Sequence, residues 1–196
     1  VPDMSLWLGE LAHAVAGTPG FAMPPGFEPG LEATHYFSPE QSAYCNGTHV
    51  AEVEVDIETG YVKILRYVIA HDSGNLINPM IVDGQVQGGL AHGIGNALFE
   101  EQHFDSDANP LTTTFAEYLI PGAGDVIDAE AIHIESPSPL NPLGVKGAGE
   151  GGTIPAAAAI IAAVENALGP FGVALTDVPL TPEKIVSVVA AAGKAA

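Results

Sequence analysis

The chain has 196 residues, of which 5 are Lys or Arg and 24 are Asp or Glu, so its formal charge is −19. A surface this acidic repels nucleic acid and anionic membranes and argues against either as a partner. With 47% hydrophobic residues and a mean hydropathy of +0.26, the sequence is not that of a disordered chain.

The first element expected is a helix over SLWLGELAHAVAG, with Ser5 as N-cap, apolar residues at Leu6, Leu8, Leu11, Ala14 and Val15, and Gly17 as the stop. A Pro/Gly-rich arm follows, and residues 1–34 are read as a helix-and-arm segment ahead of a main domain at 35–196. HVAEVEVD (49–56), with Val50, Val53 and Val55 prominent, and YVKILRYVIAHD (61–72) predict a long β-hairpin, with Gly60 supplying the left-handed turn position. The second strand is apolar at both parities near its end, so burial is expected there.

From Ile81 to Leu98 apolar residues recur at helical intervals among Gly84, Gly88, Gly89, Gly93 and Gly95. Each glycine costs a helix up to about 1 kcal/mol relative to alanine. Something must therefore approach that backbone closely, either a sheet on which the helix packs tightly or a bound ligand. AIHIES (131–136) is a short strand candidate, and PSPLNPLG a stiff extended run. A glycine-rich turn then leads into a helix over Ile154–Leu168, with Thr153 as cap and Pro155 in its first turn. Thr181-Pro182-Glu183 opens a last amphipathic helix through Ile185, Val188 and Val189. Hairpin, helix, strand and helix in this order indicate an α+β layer structure.

The turn before the third helix contains Gly147, Gly149 and Gly152 in the spacing G-x-G-x-x-G. A dinucleotide site needs a strand before those glycines, and the preceding residues are proline-rich. Glu150 at the centre would also oppose a diphosphate on that helix N-terminus. Two roles suit such a carboxylate: interaction with the helix dipole, or a general base beside the open space that glycines leave.

PSPLNPLGVKGAGEGGTIPAAAAIIAAVENALG resembles the active-site segment of the molybdenum hydroxylases, the family of xanthine dehydrogenase, aldehyde oxidase and aerobic carbon monoxide dehydrogenase. AHDSGNLINPMIVDGQVQGGLAHGIGNALFEE is similar to the family's cofactor-contacting glycine-rich segment, and AEYLIP and the hairpin also fit. The resemblance runs in order from about Leu31 to the C-terminus. It implies the C-terminal portion of the molybdopterin-binding domain, with Glu150 as active-site base. Gln85, Lys146, Gly147, Ala148 and Gly149 would be the cofactor contacts. Gln87 stands where several relatives have histidine or glutamate.

The resemblance further implies a molybdenum–molybdopterin cofactor, in its cytosine dinucleotide form, and a small-molecule substrate, an aldehyde or an N-heterocycle. FAD and [2Fe-2S] clusters are expected on partner chains. Family catalytic subunits are several times longer, so a larger chain carrying the rest of the molybdenum subunit is an expected partner. In this family the metal is held by the pterin, and none of the seven histidines forms H-x-x-x-H or H-E-x-x-H, so no protein metal ligand is expected. His71, Asp72 and His92 are read as structural or supporting residues, and Cys45 as a small buried thiol. One cysteine and no signal-peptide pattern lead to the expectation of a cytoplasmic protein. Two rival readings are a non-catalytic scaffold and a stand-alone acid–base enzyme using Glu150 with His71 or Asp72.

Overall fold

The computed structural model describes residues 5–17 and 23–193. They fall into two units, Val1–Ser38 and Pro39–Ala196.

In the first unit the helix α1 covers Leu8–Ala14 and is capped at Trp7, later than the predicted Ser5. The Glu10 carboxylate explains the shift, since it accepts a hydrogen bond from the Trp7 amide at 3.0 Å.

The second unit is built on a three-stranded sheet in the order β1–β2–β3. β1 (Asn46–Val55) and β2 (Val62–Asp72) form the predicted antiparallel hairpin, with a bulge between Glu52 and Val53. Gly60 takes φ +74° in the connecting turn, as its position demanded. Ala51, Val53 and Val55 pack against the core, whereas Val50 is exposed on the opposite face. The period of two excludes Val50 and Val53 from one face, and the strand resolves this in favour of the odd positions. Burial deepens along β2 as predicted, ending with Tyr67, Ile69, His71 and Asp72 all at 4% exposure or less. β3 (Glu130–His133) lies parallel to β2 and places His133 beside His71.

α2 (Pro79–Leu98) begins at Asn78, whose Oδ1 accepts from the Ile81 amide at 3.2 Å, with Pro79 at the first position. α3 (Ala156–Ala167) starts two residues after the predicted Ile154, with Pro155 at the cap and no side-chain cap. Thr153 therefore does not cap it. The Glu150 carbonyl accepts from both Thr153 N and Ile154 N, which keeps residues 150–154 in a turn of their own. α4 (Pro182–Gly193) opens with the Thr181 hydroxyl accepting from the Lys184 amide at 3.3 Å.

Tyr67 and Ile69 of the sheet, Val86, Leu90 and Ile94 of α2, and Ala156, Ile160 and Val164 of α3 make one hydrophobic core, closed by Leu180 and Ile185. The close packing partner of Gly89 and Gly93 is α3 and the turn before it, not the sheet that was expected, because glycine lets the two helix backbones approach. A Cβ on Gly89 would lie 2.7 Å from the Gly152 carbonyl carbon and Thr153 N, and one on Gly93 would overlap Ala156 Cβ. None of the helices described is long and apolar enough to cross a membrane.

Candidate active site

The glycine-rich turn is preceded by no regular strand. Val145 makes only an isolated bridge with Gly74. The dinucleotide arrangement is absent here, as the proline-rich approach indicated. The segment is instead laid along the end of β2. Lys146 N donates to Ser73 O at 2.7 Å, Gly147 N to Ala43 O at 2.9 Å and Asn75 N to Gly144 O at 3.1 Å. Asn141 clamps Val145 from the other side, with its side-chain oxygen and nitrogen both bonded to that residue's backbone.

Lys146 turns inward. Its Nζ donates to Asp72 Oδ2 and to Ser136 Oγ, each at 2.7 Å, and the side chain is 14% exposed. Asp72 also accepts from the Gly74 and Ser136 amides and from the Ser136 hydroxyl. Burial pushes the Asp72 carboxyl up, but the Lys146 ammonium, the Ser136 hydroxyl and the two amides outweigh it and hold the group well below the usual carboxylate range. Lys146 therefore ties the turn to β2 through its charge, and it lines a cavity of about 200 Å³ together with Ala148, Asn75, Asn78 and Ile81.

Glu150 is exposed at the rim of this turn. On α2, Val86 lies against Gly152, two residues beyond Glu150, so Gln85 stands beside the same seam with its side chain exposed. Lys146 to Glu150 are contiguous in this turn, and Gln85 adjoins Val86, the residue of α2 that lies against its end at Gly152. Gln87 faces the other way. Its amide donates to Ile127 O at 2.6 Å and accepts from Ala129 N at 3.2 Å, pinning the approach to β3.

Beneath the turn lies a row of histidines that spacing alone did not reveal. His49, His71 and His133 come from three different strands. His71 Nε2 is 2.5 Å from Ser73 Oγ, His49 Nδ1 is 2.9 Å from the Tyr67 hydroxyl, and His133 Nε2 is 2.6 Å from Asp83 Oδ1. The other nitrogen of each ring is buried without a partner. The available signal was the alternation itself, since residues 49, 71 and 133 share a sheet face once the register is known. Cys45 is half-buried rather than buried, with its sulfur against Gly151. A stand-alone acid–base pair is not formed, because Asp72 is engaged by Lys146 and His71 is 1% exposed.

Burial lowers the His71 pKa, neighbouring His133 lowers it further and Asp72 raises it. Burial and then His71 lower that of His49. The unfolded chain consequently takes up protons near pH 6.5 that the folded chain refuses. Stability from these rings is fully present above about pH 6.5 and is lost as the pH falls through their lower folded values. The expected result is a melting temperature that is flat from pH 8 to 7 and declines as the pH falls below about 6.5. A melting temperature unchanged below that pH would contradict it.

The sequence profile of the molybdopterin cofactor-binding domain matches residues 4–127. The nicotine 6-hydroxylase large subunit of Paenarthrobacter nicotinovorans is 45% identical over 163 residues, which are 83% of this chain and 20% of that subunit. The carbon monoxide dehydrogenase large chain of Hydrogenophaga pseudoflava is 37% identical over 162 residues, 83% of this chain and 20% of that one. Among solved structures, quinoline 2-oxidoreductase from Pseudomonas putida 86 superposes with a TM-score of 0.80 at 44% identity, covering 86% of this chain and 21% of that one. This chain belongs to the molybdopterin cofactor-binding domain family. It corresponds to a fragment of the molybdenum-binding subunit of molybdenum hydroxylases, and it spans about a fifth of the length of those relatives.

The residues present fit a molybdopterin. The exposed stripe of α2 runs through Gly84, Gln85, Gly88 and His92, and a Cβ added at Gly84, Gly88 or Gly149 would touch nothing within 4 Å. Four of the five helix glycines thus divide into two kinds, and Gly95 is closed in by Glu100 and Pro121. Gly89 and Gly93 admit α3 and its approach, while Gly84 and Gly88 leave open ground beside Gln85. Gly89→Ala is expected to destabilise the protein by about 1–3 kcal/mol through overpacking. Gly88→Ala is expected to stabilise the cofactor-free protein by about 0.5–1 kcal/mol. Thermal melts of the two variants check this, and equal shifts would refute the division.

Proposed function

We propose that this chain is the C-terminal part of the molybdenum-cofactor catalytic subunit of an oxidoreductase that hydroxylates an N-heterocycle or an aldehyde with water-derived oxygen. The observation that carries the reading is the placement of Glu150. It is an exposed carboxylate on a hydrogen-bonded turn, flanked by Gly149, where a side chain would meet open space. Nicotine and quinoline, in the names of two relatives, are both N-heterocycles, which favours that substrate class.

When bound, the molybdenum–pterin group supplies oxygen transfer and two-electron chemistry. The chain's own residues bind and orient. The exposed Gln85 amide offers both a donor and an acceptor to the pterin rim. Lys146, Gly147, Ala148 and Gly149 present a backbone strip whose first two amides are bonded to Ser73 and Ala43, and the Lys146–Asp72 pair keeps it in place. Glu150 takes a proton at its carboxylate oxygens, and the glycine neighbours leave room for substrate. The pterin is assigned the cytosine dinucleotide form. A larger chain carries the remaining cofactor segment, and FAD and [2Fe-2S] clusters sit on partner chains in the cytoplasm.

Purification of the native protein with metal analysis and mass spectrometry of co-purifying chains tests this. Molybdenum together with a chain bearing the missing segment is the expected result. Recovery without molybdenum would overturn the catalytic reading in favour of a scaffold.

A further inference from the structure

Resting on the reading of Glu150 as base, we propose that His71, backed by His49, is the positioning residue that aims the Glu150 carboxylate. Gly151 directly follows Glu150. A Cβ there would overlap His71 Cε1 and stand 3.0 Å from His71 Nδ1 and 3.2 Å from Cys45 Sγ. The imidazole edge thus occupies the place a side chain would take, and the backbone after Glu150 rests on it. The same ring is flanked by Gly47 of β1, where a Cβ would lie 3.6 Å from Nδ1. His71 is held from the far side by Ser73 and is 1% exposed.

His49 supports the next part of the turn. Its Nδ1 contacts the Tyr67 hydroxyl, and the two rings meet edge to face at 5.5 Å. Its Nε2 is buried without a hydrogen-bond partner. Tyr67 in turn donates to Ala156 O at 3.5 Å, at the start of α3. Residues 151–156 therefore rest on three side chains of the β1–β2 hairpin. On the same side, the Glu150 carbonyl accepts from Thr153 N and Ile154 N. A backbone held immediately after Glu150 narrows the directions its carboxylate can take, and such restriction is what base catalysis from an exposed position requires.

A purely packing role does not account for histidine at 71. Its Nδ1 is buried without a partner, which is unfavourable, and an apolar ring would fill the space without that penalty. The five-membered imidazole is smaller than a benzene ring, and its Cε1–Nδ1 edge is what lies against Gly151. Neither histidine reaches the open side of the turn, so both act through Glu150.

The test uses the intact molybdenum-loaded complex, with His71→Ala, His71→Phe, Gly151→Ala, the His71→Ala/Gly151→Ala double variant and Glu150→Gln. His71→Ala is expected to lower kcat by about tenfold or more with KM changed less than about twofold, because the base is mis-aimed while substrate contacts persist. Molybdenum content should hold, and hydrogen exchange should accelerate over residues 147–155 and not over α2. Gly151→Ala should be worse alone than in the double variant, since removing the ring makes room for the new methyl group.

Unchanged kcat and exchange in His71→Ala, with Glu150→Gln inactive, would overturn the proposal and leave the base intact. Active Glu150→Gln would overturn the base, while exchange and the double variant would still report whether His71 holds the turn. Should His71→Ala fail to fold, His49→Phe takes its place, with faster exchange over 147–155 expected and unchanged exchange overturning the proposal.

Discussion

Replacing Glu150 by glutamine in the intact enzyme is expected to lower kcat by about 10²-fold or more, with molybdenum content and melting temperature nearly unchanged. Glutamine keeps the size and hydrogen-bonding reach of the side chain and removes only its ability to take a proton. The local structure should not move, because the turn is held through the Glu150 backbone: its carbonyl receives Thr153 N and Ile154 N. A carboxylate serving only the dipole of α3 would behave differently. Its loss would cost a fraction of a kcal/mol to about 1 kcal/mol of stability and leave turnover intact. Single-turnover kinetics and a thermal melt on the same preparation separate the two roles.

Lys146→Met is expected to destabilise the protein by about 3–5 kcal/mol, because it strands a buried carboxylate. Asp72 is 4% exposed, and the Lys146 ammonium at 2.7 Å is the cation paired with it. The pH dependence has a definite sign. The folded Asp72 carboxyl lies below its unfolded value, so its stabilisation is present above about pH 4 and is lost as the pH falls through the folded value. In the variant the carboxyl loses the ion pair that lowers it. The gap between wild type and variant should therefore narrow as the pH drops below about 4. Adding Asp72→Asn to Lys146→Met should recover part of the loss, since a neutral amide can keep bonds to Gly74 N and Ser136 N without a buried charge. Melting curves of the three proteins at two pH values measure each of these differences. A Lys146→Met variant as stable as wild type would show that the pair does not hold the strip to β2.

If both results are obtained, the two sides of the turn have different duties. Lys146 anchors it, and Glu150 does its chemistry. The structure already separates them by direction. The lysine side chain points under the sheet edge toward Asp72 and Ser136, and the glutamate side chain is exposed.

The order of elements was legible from the sequence because each rests on a local pattern. The hairpin was read from the alternation in which Val50, Val53 and Val55 stand out and from a glycine at 60 able to take a left-handed φ, although Ala51 and not Val50 packs on the core. α2 needed Val86, Leu90 and Ile94 four residues apart, and α3 needed an alanine-rich run after a glycine turn. Glu150 was legible as an acid among glycines, and the resemblance to the molybdenum hydroxylases rested on contiguous motifs. Three things were decided only by tertiary structure. Asp72 and Lys146 are 74 residues apart, so no periodicity pairs them, and only the laying of residues 143–147 along β2 does. The glycines of α2 look alike in sequence, and their division into those that admit α3 and those that leave open ground depends on which side of the helix α3 packs. The histidine row depends on strand register, because His49, His71 and His133 become neighbours only when β1, β2 and β3 are aligned. Short-range chemistry specifies elements. The groups that hold or aim a catalytic carboxylate are chosen by contacts between distant segments, and these exist only once the core of Tyr67, Leu90 and Ile160 has brought those segments together.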